Sequence, residues 1–240
     1  MDFISHKFHG SFDSYQNLDE INFSIIPTGL KKLSFFEDDV FLGMQAMNVG
    51  LVDQLITQYE YTLLREYNEI ERTPDSTMAV SALSQMWIYA VYEVLRMWRD
   101  RKFEFEKLQR NGGIKPKISS MVDDPQNLTV EIRKEQMLRF QNDAKYRERI
   151  NNVWDGIEEI FRAIELLRIN LAKHCAPGKD NIIPRSPGYA RINDWCGAMD
   201  YQLIDKNKNY TEIDGDRYYT YLNRRDIADA LRNFIIGFSD

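Results

Sequence analysis

Cysteine and histidine are scarce in this chain, and their scarcity excludes several kinds of site. The 240 residues include two cysteines, Cys175 and Cys196, and three histidines. Two cysteines are too few for a disulfide scaffold or a thiolate zinc site, and they fit a reducing cytosol. His6 and His9 lie in a polar amino-terminal stretch, so His174 is the one histidine placed for catalysis inside a predicted structured element.

Several longer patterns are also missing. No apolar run approaches the roughly 20 residues that a helix needs to span a bilayer. The first ten residues have neither the basic nor the apolar region of a secretory signal. There is no phosphate-binding glycine loop, no serine nucleophile elbow and no dinucleotide fingerprint. We therefore expect a cytoplasmic protein with no membrane association, no cofactor and no metal.

What the chain does have is a globular composition, with 43% hydrophobic and 28% charged residues. Its net charge of −6 is unevenly distributed. Residues 1–75 carry 13 acids against five bases, whereas the segment Arg96–Lys117 carries eight bases against three acids. A basic stripe of this kind can attract phosphate groups. The same pattern is equally typical of a solvated helix end that leads into the loop Asn111–Gly113.

Hydrophobic periodicity predicts three long helices. The first runs from about Val40 to Glu71 and the second from about Thr77 to Gln109. Each has apolar residues three or four positions apart, as in a helix that packs on a core. The stripe of the first comprises Phe41, Met44, Met47, Leu51, Leu55, Tyr59 and Leu63, and that of the second comprises Val80, Leu83, Trp87, Val91, Val94 and Trp98. The second is apolar enough to be central to a bundle.

The third helical stretch runs from about Asn127 to Lys173, with an interruption within the polar run Gln141–Glu148. Residues 1–36 are expected to be loop with one short strand, and residues 113–127 to be loop. After residue 178, alternating β-formers around a turn at Lys206–Asn209 predict a hairpin. A final helix is predicted to begin after Asn223, with Asn223 as its cap.

These patterns predict a mainly α fold: an antiparallel bundle of long helices with a small C-terminal β-hairpin plus helix. We divide the chain into a helical bundle over residues 1–178, with an irregular segment 1–36, and a second unit over residues 179–240. The second unit contains a loop, the hairpin and the last helix, and it is expected to pack on the bundle.

An arginine and a histidine interrupt the apolar face near the end of the third helix, in the segment Arg168–His174. Six helical positions separate the two residues by about 120° around the axis, so one helix alone would make a poor site. Two such helices packed across a twofold axis could bring two pairs together. An imidazole can move a proton at a ribose 2′-hydroxyl or a leaving oxygen, and a guanidinium can hold phosphate charge without a metal. Equally, such residues often cap the end of a helix.

The segment ELLRINLAKHCAPG has five residues between an arginine and a histidine in the last long helix of the bundle, and it resembles the signature of the HEPN (higher eukaryotes and prokaryotes nucleotide-binding) superfamily. The resemblance covers residues 40–178. Members are antiparallel helical bundles, often dimers, and many are metal-independent ribonucleases of toxin–antitoxin and antiviral systems. The resemblance implies that Arg168 and His174 are the catalytic pair. Asn170 would be the polar accessory residue, although Ile169 separates it from Arg168, where the family usually has the two adjacent.

The second helix offers supporting residues at spacings of three, Glu93, Arg96 and Arg99. Glu93 and Arg96 most simply form an intrahelical ion pair. Alternatively, Glu93 orients Arg168 or His174, and the arginines face RNA.

Two functions from different classes follow. The first is a HEPN-like endoribonuclease, acting as a homodimer on RNA. The second is a non-catalytic helical module that binds a nucleotide or a protein partner such as an antitoxin, for which the acidic N-terminal third is suited.

Overall fold

The computed structural model describes residues 15–70, 72–122, 127–173, 182–184, 190–205 and 219–239. Within these ranges the order of elements is α1 (Ile25–Lys31), α2 (Val40–Ile70), α3 (Thr77–Arg110), α4 (Ile114–Ser120), α5 (Leu128–Asn142), α6 (Ala144–Lys173), β1 (Ile182–Pro184), β2 (Ala190–Ile192), β3 (Met199–Asp205), β4 (Tyr219–Leu222) and α7 (Arg224–Ser239). The predicted mainly α fold with a small C-terminal sheet and helix is confirmed.

Helix α3 is the central element of the bundle, as its apolar middle predicts. It packs against α2 on one side and α6 on the other. Its predicted apolar face is buried at every position except Leu83, which is partly buried. The predicted interruption of the third helical stretch is also confirmed, because α5 ends at Asn142 and α6 begins at Ala144. The side chain of Asp143, which lies between the two helices, accepts hydrogen bonds from the backbone N–H groups of Lys145 and Tyr146 and so caps the start of α6.

The apolar stripe predicted for α2 faces the wrong way. Of its seven residues only Leu63 is buried, and Phe41, Met44, Leu51, Leu55 and Tyr59 are each about half exposed. The buried face consists largely of small and polar residues, namely Gly43, Ala46, Val49, Gly50, Asp53, Ile56, Thr57 and Glu60. Small residues allow close packing: a Cβ added at Gly50 would lie 2.4 Å from Pro27 of α1. Close approach of two helices therefore decides the orientation of α2.

Two segments expected to be irregular form short helices. The stretch within residues 1–36 that was predicted as loop and strand contains α1, and the predicted loop 113–127 contains α4. Each helix has seven residues, too few for a clear helical periodicity. Both are stabilised by packing, since Ile26 and Leu30 of α1 and Ile114 of α4 are buried in the core.

The turn after α1 contributes an unusual core residue, Phe35, whose φ is +74°. A bulky side chain in the left-handed region costs about 1–3 kcal/mol. Its ring is fully buried and lies 5.7 Å from Trp98 and 5.4 Å from Phe105, between ring centroids. Trp98 also donates a hydrogen bond to the carbonyl of Ser34. Burial of these rings offsets the local strain and anchors the turn against α3.

The small sheet is antiparallel and is built around β3. Strand β4 pairs with β3 from Tyr201↔Leu222 to Ile204↔Tyr219, which confirms the predicted pairing of these two segments. Strands β1 and β2 pair with successive parts of the opposite edge of β3, at Ile182↔Asp205 and Ala190↔Tyr201. These two three-residue strands were not predicted. The turn predicted at Lys206–Asn209 lies outside the described residues.

Helix α7 begins as predicted, with a reciprocal cap. The side chain of Asn223 accepts a hydrogen bond from the backbone N–H of Asp226 at 2.9 Å, and Asp226 accepts one from the backbone of Asn223 at 3.0 Å. Its apolar side packs on α1 and α6, and Ile227, Leu231 and Ile235 are buried. The division of the chain at residue 178 stays a prediction.

Among the described helices, α3 is long and apolar enough to cross a membrane by length and composition alone. The core helix of a soluble protein meets the same test, and Trp87 and Trp98 of α3 are buried inside the bundle. The expected absence of a membrane span and the cytoplasmic location stay predictions.

Candidate functional site

Arg168, the predicted phosphate-binding residue, lies where α6 packs on α3. Its guanidinium carbon is 4.8 Å from the centroid of the Tyr92 ring. Tyr92 in turn stacks on Phe161 of α6 with the ring centroids 5.5 Å apart. The guanidinium of Arg99, a second predicted residue, lies 4.6 Å from the Phe161 ring. The structure therefore places Arg99 and Arg168 against the two members of one aromatic pair, which holds both cations by cation–π attraction.

Glu165 contacts both Tyr92 and Arg99. Its carboxylate accepts a hydrogen bond from the Tyr92 hydroxyl at 3.3 Å and lies 3.5 Å from the guanidinium of Arg99. Burial and the Glu165 charge raise the pKa of Tyr92, although Arg168 and Arg99 lower it, so the phenol stays protonated as a donor. Tyr92, Phe161 and Glu165 were not predicted as site residues. Glu165 lies three residues before Arg168 on the same helix, which is a signal that the sequence offers.

Glu93 and Arg96 form an ion pair within α3, in agreement with the simpler interpretation of their spacing. Both Nε and a terminal nitrogen of Arg96 donate to Glu93, at 2.9 and 2.6 Å. The second terminal nitrogen of Arg96 donates to Asp100 at 3.1 Å, and Asp100 also accepts from Arg99. Hydrogen bonding to Glu93 raises the pKa of Arg96. The carboxylate that lies beside the aromatic pair is therefore Glu165, and Glu93 is engaged with Arg96.

The other two members of the predicted site are not described. His174 lies outside the described residues, directly after the end of α6 at Lys173. Asn170 is part of α6, but its side chain is outside the described part of the structure. Their proposed roles stay predictions.

Arg168 differs from its neighbours in the way its charge is compensated. Within the described residues, Arg96 and Arg99 form ion pairs with carboxylates, whereas none of the described carboxylates forms an ion pair with Arg168. Its described partner is an aromatic ring, which attracts a cation without neutralising it. A guanidinium with these surroundings can bind a phosphate by donating two parallel hydrogen bonds to its oxygens.

Part of the acidic first third of the chain forms ion pairs with arginines from the remainder. Three consecutive acids, Glu37, Asp38 and Asp39, form ion pairs with Arg149, Arg139 and Arg101 respectively. In the basic stripe Arg96–Lys117, Lys102 is also paired, with Glu106. Some of the charge of both regions is therefore used in ion pairs within the part of the chain that the structure describes.

A second group of charges, which the sequence reasoning missed, is buried between α2 and α7. Arg224 donates to both oxygens of Glu60, at 2.8 and 2.5 Å, and to the hydroxyl of Thr57 at 2.8 Å. It also pairs with Asp53, which pairs in addition with Arg232. Asp53, Glu60 and Arg224 have no exposed surface. The signal in the sequence is that Asp53 and Glu60 are the only charged residues between positions 40 and 64.

This network is built for mutual neutralisation. Burial by itself lowers the pKa of Arg224, but the carboxylates of Glu60 and Asp53 raise it, so the guanidinium is fixed as a cation. Burial raises the pKa of Glu60, and Arg224 acts in the opposite direction. Every polar atom of the Arg224 side chain has a partner. The network therefore stabilises the contact between α2 and α7, and the Arg224 side chain offers no free group to a ligand.

A third polar network surrounds the start of α7. The Tyr15 hydroxyl donates to Asp226 at 2.6 Å, and the Asn223 amide donates to Tyr15 at 3.1 Å and to Asp200 at 2.8 Å. Burial raises the pKa of Asp226 to about 7, with a further contribution from the charge of Asp200, while the bond from Tyr15 lowers it. Burial likewise raises the pKa of Asp200. These contacts join the segment before α1, strand β3 and the start of α7.

The described residues contain neither a reactive thiol nor a metal-binding cluster. Cys196 is fully buried, and burial raises the pKa of its thiol, so the nucleophilic thiolate is disfavoured. No group of three or more histidine, cysteine, aspartate or glutamate side chains could hold a metal within the part of the chain that the structure describes.

No protein-family model, curated protein or solved structure matches this chain. The resemblance to the HEPN superfamily therefore stays a prediction that depends on the residues of the segment Arg168–His174.

Proposed function

We propose that the protein is a HEPN-like, metal-independent endoribonuclease that acts in the cytoplasm as a homodimer, with Arg168 and His174 at its catalytic site. The observation that carries the proposal is the position of Arg168. Its guanidinium is held by the ring of Tyr92, and no described carboxylate forms an ion pair with it. Its positive charge is thus not neutralised by any carboxylate that the structure describes, and a phosphodiester is an anion that a planar guanidinium binds well.

The chemistry follows from the two side chains. The imidazole of His174 takes the proton from a ribose 2′-hydroxyl, and the 2′-oxygen attacks the adjacent phosphorus. The bond from phosphorus to the 5′-oxygen breaks, the electron pair leaves with that oxygen, and an imidazolium protonates it. Arg168 holds the negative charge that grows on the phosphate oxygens. The products are a 2′,3′-cyclic phosphate and a 5′-hydroxyl, and no metal takes part.

Two further arginines, Arg96 and Arg99, lie on the same side of α3 as the ring that contacts Arg168. Arg99 lies against the ring of Phe161, next to Tyr92. Arg99 and Tyr92 both contact the carboxylate of Glu165. This carboxylate accepts a hydrogen bond from the hydroxyl of the ring on which Arg168 lies. Arg96 is half-exposed and is oriented by Glu93 and Asp100, which places it at the edge of the same surface.

The test is incubation of the pure protein with total RNA, with and without EDTA, beside its variants. The parent protein is expected to cut RNA equally in both conditions and to leave cyclic phosphate ends. Arg168→Ala and His174→Ala are expected to abolish cleavage while the circular dichroism spectrum is unchanged. Cleavage by both variants at the parent rate would overturn the proposal.

Arg162→Ala is the matched control. Arg162 lies on the same helix, six residues before Arg168, is exposed, and forms an ion pair with Glu158 four positions away. It is expected to cut RNA at the parent rate. An RNA in which the 2′-hydroxyls are replaced by hydrogen is expected to resist the parent protein, because the attacking group is then missing.

A further inference from the structure

The fold divides the basic stripe Arg96–Lys117 into a paired part and an unpaired part. In the first part, Arg96 and Arg99 form ion pairs with carboxylates of α3 and α6. Further along, Lys107 and Arg110 are exposed, and no described carboxylate forms an ion pair with either of them. The two glutamates that shortly precede Lys107 pair with other bases. The positive charge at this end of α3 is therefore not neutralised by the described part of the chain.

These four bases lie on one side of α3, together with two aromatic residues. All six recur at intervals of three and four positions, which places them in one line along the helix. The line, which we call the α3 row, consists of Tyr92, Arg96, Arg99, Phe103, Lys107 and Arg110. From its first residue to its last it extends about 27 Å along the helix axis.

The α3 row begins at the proposed catalytic site. Its first residue, Tyr92, contacts Arg168, whose guanidinium carbon is 4.8 Å from the centroid of the ring. The carboxylates beside this part of the row each pair with Arg96 or Arg99, namely Glu93, Asp100 and Glu165. A polyanion bound at Arg168 therefore meets compensated acids along the first part of the row and free bases at its end.

Phe103, in the middle of the α3 row, is an aromatic side chain at the surface. It is 43% exposed. Its ring centroid is 5.3 Å from that of Trp154, and the ammonium of Lys102 is 4.9 Å from the Phe103 centroid. These two contacts hold the ring in place and leave part of it accessible. An aromatic side chain between cations is the arrangement that binds a single strand, because every base has a face that can stack.

The row fits a nucleic acid strand better than a lipid surface. Proteins that lie on a lipid surface insert a broad apolar face between their basic residues, whereas the α3 row has one exposed ring in a line of cations. A single strand of RNA supplies a phosphate for each cation and a base for the ring. A row of this kind contributes affinity without reading the sequence.

We propose that the α3 row binds single-stranded RNA next to the phosphate that is cut, with Lys107 and Arg110 on phosphates and Phe103 stacked on a base. The inference rests on the proposed function, because Arg168 marks the end at which the cut phosphate lies. A stacked strand has about 3.4 Å per nucleotide, so the row matches about eight stacked nucleotides and fewer of a stretched strand.

The test is binding of the full chain to a fluorescein-labelled oligouridine of about 12 nucleotides. Its 2′-O-methyl groups prevent cleavage, and fluorescence anisotropy is measured at several salt concentrations. Lys107→Ala/Arg110→Ala is expected to bind about tenfold more weakly and to lower the salt slope by about 1.4, because each phosphate contact of a single strand contributes about 0.7. Phe103→Leu is expected to bind at least about fivefold more weakly with an unchanged slope, because it removes stacking and no charge.

Two control variants remove the same groups from other helices. Lys31→Ala/Arg65→Ala removes one exposed lysine and one exposed arginine, from α1 and α2, so it changes the net charge equally. Phe41→Leu removes a ring of α2 that is 50% exposed. Both are expected to bind as the parent does. A parent that does not bind the oligouridine, or row variants that bind as tightly as the parent, would overturn the proposal. Flotation with phosphatidylserine vesicles without binding of the oligouridine would also overturn it, in favour of a lipid surface.

Cleavage of total RNA by the same variants separates this inference from the proposed function. If the parent binds with the expected dependence on the α3 row but leaves RNA intact, the ribonuclease proposal fails and the row stands as an RNA-binding surface. If the parent cuts RNA while the row variants bind and cut as the parent does, the assignment of the row is wrong and the ribonuclease proposal stands.

Discussion

The guanidinium of Arg224 in α7 donates hydrogen bonds to both carboxylate oxygens of Glu60 in α2, and neither side chain is exposed to solvent. The two residues are 164 positions apart in the chain. Asp53 on the same face of α2 pairs with Arg224 and with Arg232. Helix α7 is thus bound to α2 by charges whose desolvation is compensated only while all of them are present.

Removal of Arg224 is expected to destabilise the protein strongly. In Arg224→Ala, Glu60 loses its cation and Asp53 keeps only Arg232, and an uncompensated buried charge costs about 3–5 kcal/mol. The measurement is the free energy of unfolding from urea titration. The exposed pair Arg162–Glu158 supplies the comparison, because Arg162→Ala is expected to cost less than about 0.5 kcal/mol. Similar losses for the two variants would contradict the assigned role of the network.

A second prediction compares two glycines with nearly the same backbone conformation. Gly197 has φ +73° and Gly112 has φ +68°. A Cβ added at Gly197 would lie 1.9 Å from the carbonyl oxygen of Glu60, whereas nothing lies within 4 Å of a Cβ at Gly112. Gly112→Ala is expected to cost about 1–2 kcal/mol for the left-handed backbone alone. Gly197→Ala is expected to cost about 1–3 kcal/mol more, because the loop before β3 has to move away from α2.

The unfolding free energies of the two alanine variants give this difference directly. Equal losses would show that the loop at Gly197 does not contact α2 closely. A gain in stability at Gly112 would show instead that its backbone is not left-handed.

The contacts of α2 explain why its orientation was predicted wrongly while that of α3 was predicted correctly. The buried side of α3 carries Trp87, Val91 and Trp98, so its hydrophobic pattern and its packing agree. The buried side of α2 carries Val49 and Ile56, but most of it consists of glycine, alanine and polar residues such as Asp53, which a hydrophobic pattern does not count as core. Burial of Asp53 depends on Arg224, and no periodicity within α2 contains information about a partner 171 residues away.

In the candidate site, too, the sequence identifies some features, whereas others depend on contacts between helices. The chemistry of a single side chain identified Arg168, and helical spacing identified the pair of Glu93 and Arg96. The ring beneath Arg168 belongs to another helix, and its contact with Tyr92 depends on how α3 and α6 pack. Glu165 was within reach of the sequence, since it precedes Arg168 by three residues, but its contact with Arg99 again needs the fold.

A third prediction concerns the pH dependence of stability. Burial raises the pKa of Asp226 from 3.8 to about 7 in the folded protein. The folded state therefore binds a proton that the unfolded state has released, between about pH 4 and pH 7. The stability that this proton contributes is complete below pH 4 and is lost as the pH rises through 7. In Asp226→Asn the side chain is neutral at every pH, so this part of the decline is expected to disappear.

The measurement is the free energy of unfolding of the parent and of Asp226→Asn at pH 5 and pH 8. The parent is expected to lose more stability than the variant over this interval. Asp155→Asn, at an exposed position on α6, is expected to follow the parent. If the parent and Asp226→Asn decline by the same amount, Asp226 is ionised throughout.

The last prediction concerns the ring beneath Arg168 and depends on the proposed ribonuclease activity. Tyr92→Phe keeps the ring and removes the hydroxyl that donates to Glu165 at 3.3 Å. Tyr92→Leu removes the ring itself, so Arg168 loses a cation–π contact of about 0.5–1 kcal/mol. If this contact holds the guanidinium where the phosphate binds, Tyr92→Leu is expected to cut RNA about two- to fivefold more slowly. Tyr92→Phe is expected to stay close to the parent rate.

Because Tyr92 also stacks on Phe161, the leucine variant is expected to be less stable. Cleavage is therefore measured well below the unfolding midpoint of each variant, with circular dichroism as the check that each is folded. Tyr92→Met separates the loss of packing from the loss of the cation–π contact. The methionine side chain fills much of the same space but has no ring that could attract the cation. Slow cleavage by both Leu and Met, with the parent rate for Phe, assigns the effect to the aromatic face. A slow Phe variant would assign it instead to the hydrogen bond with Glu165.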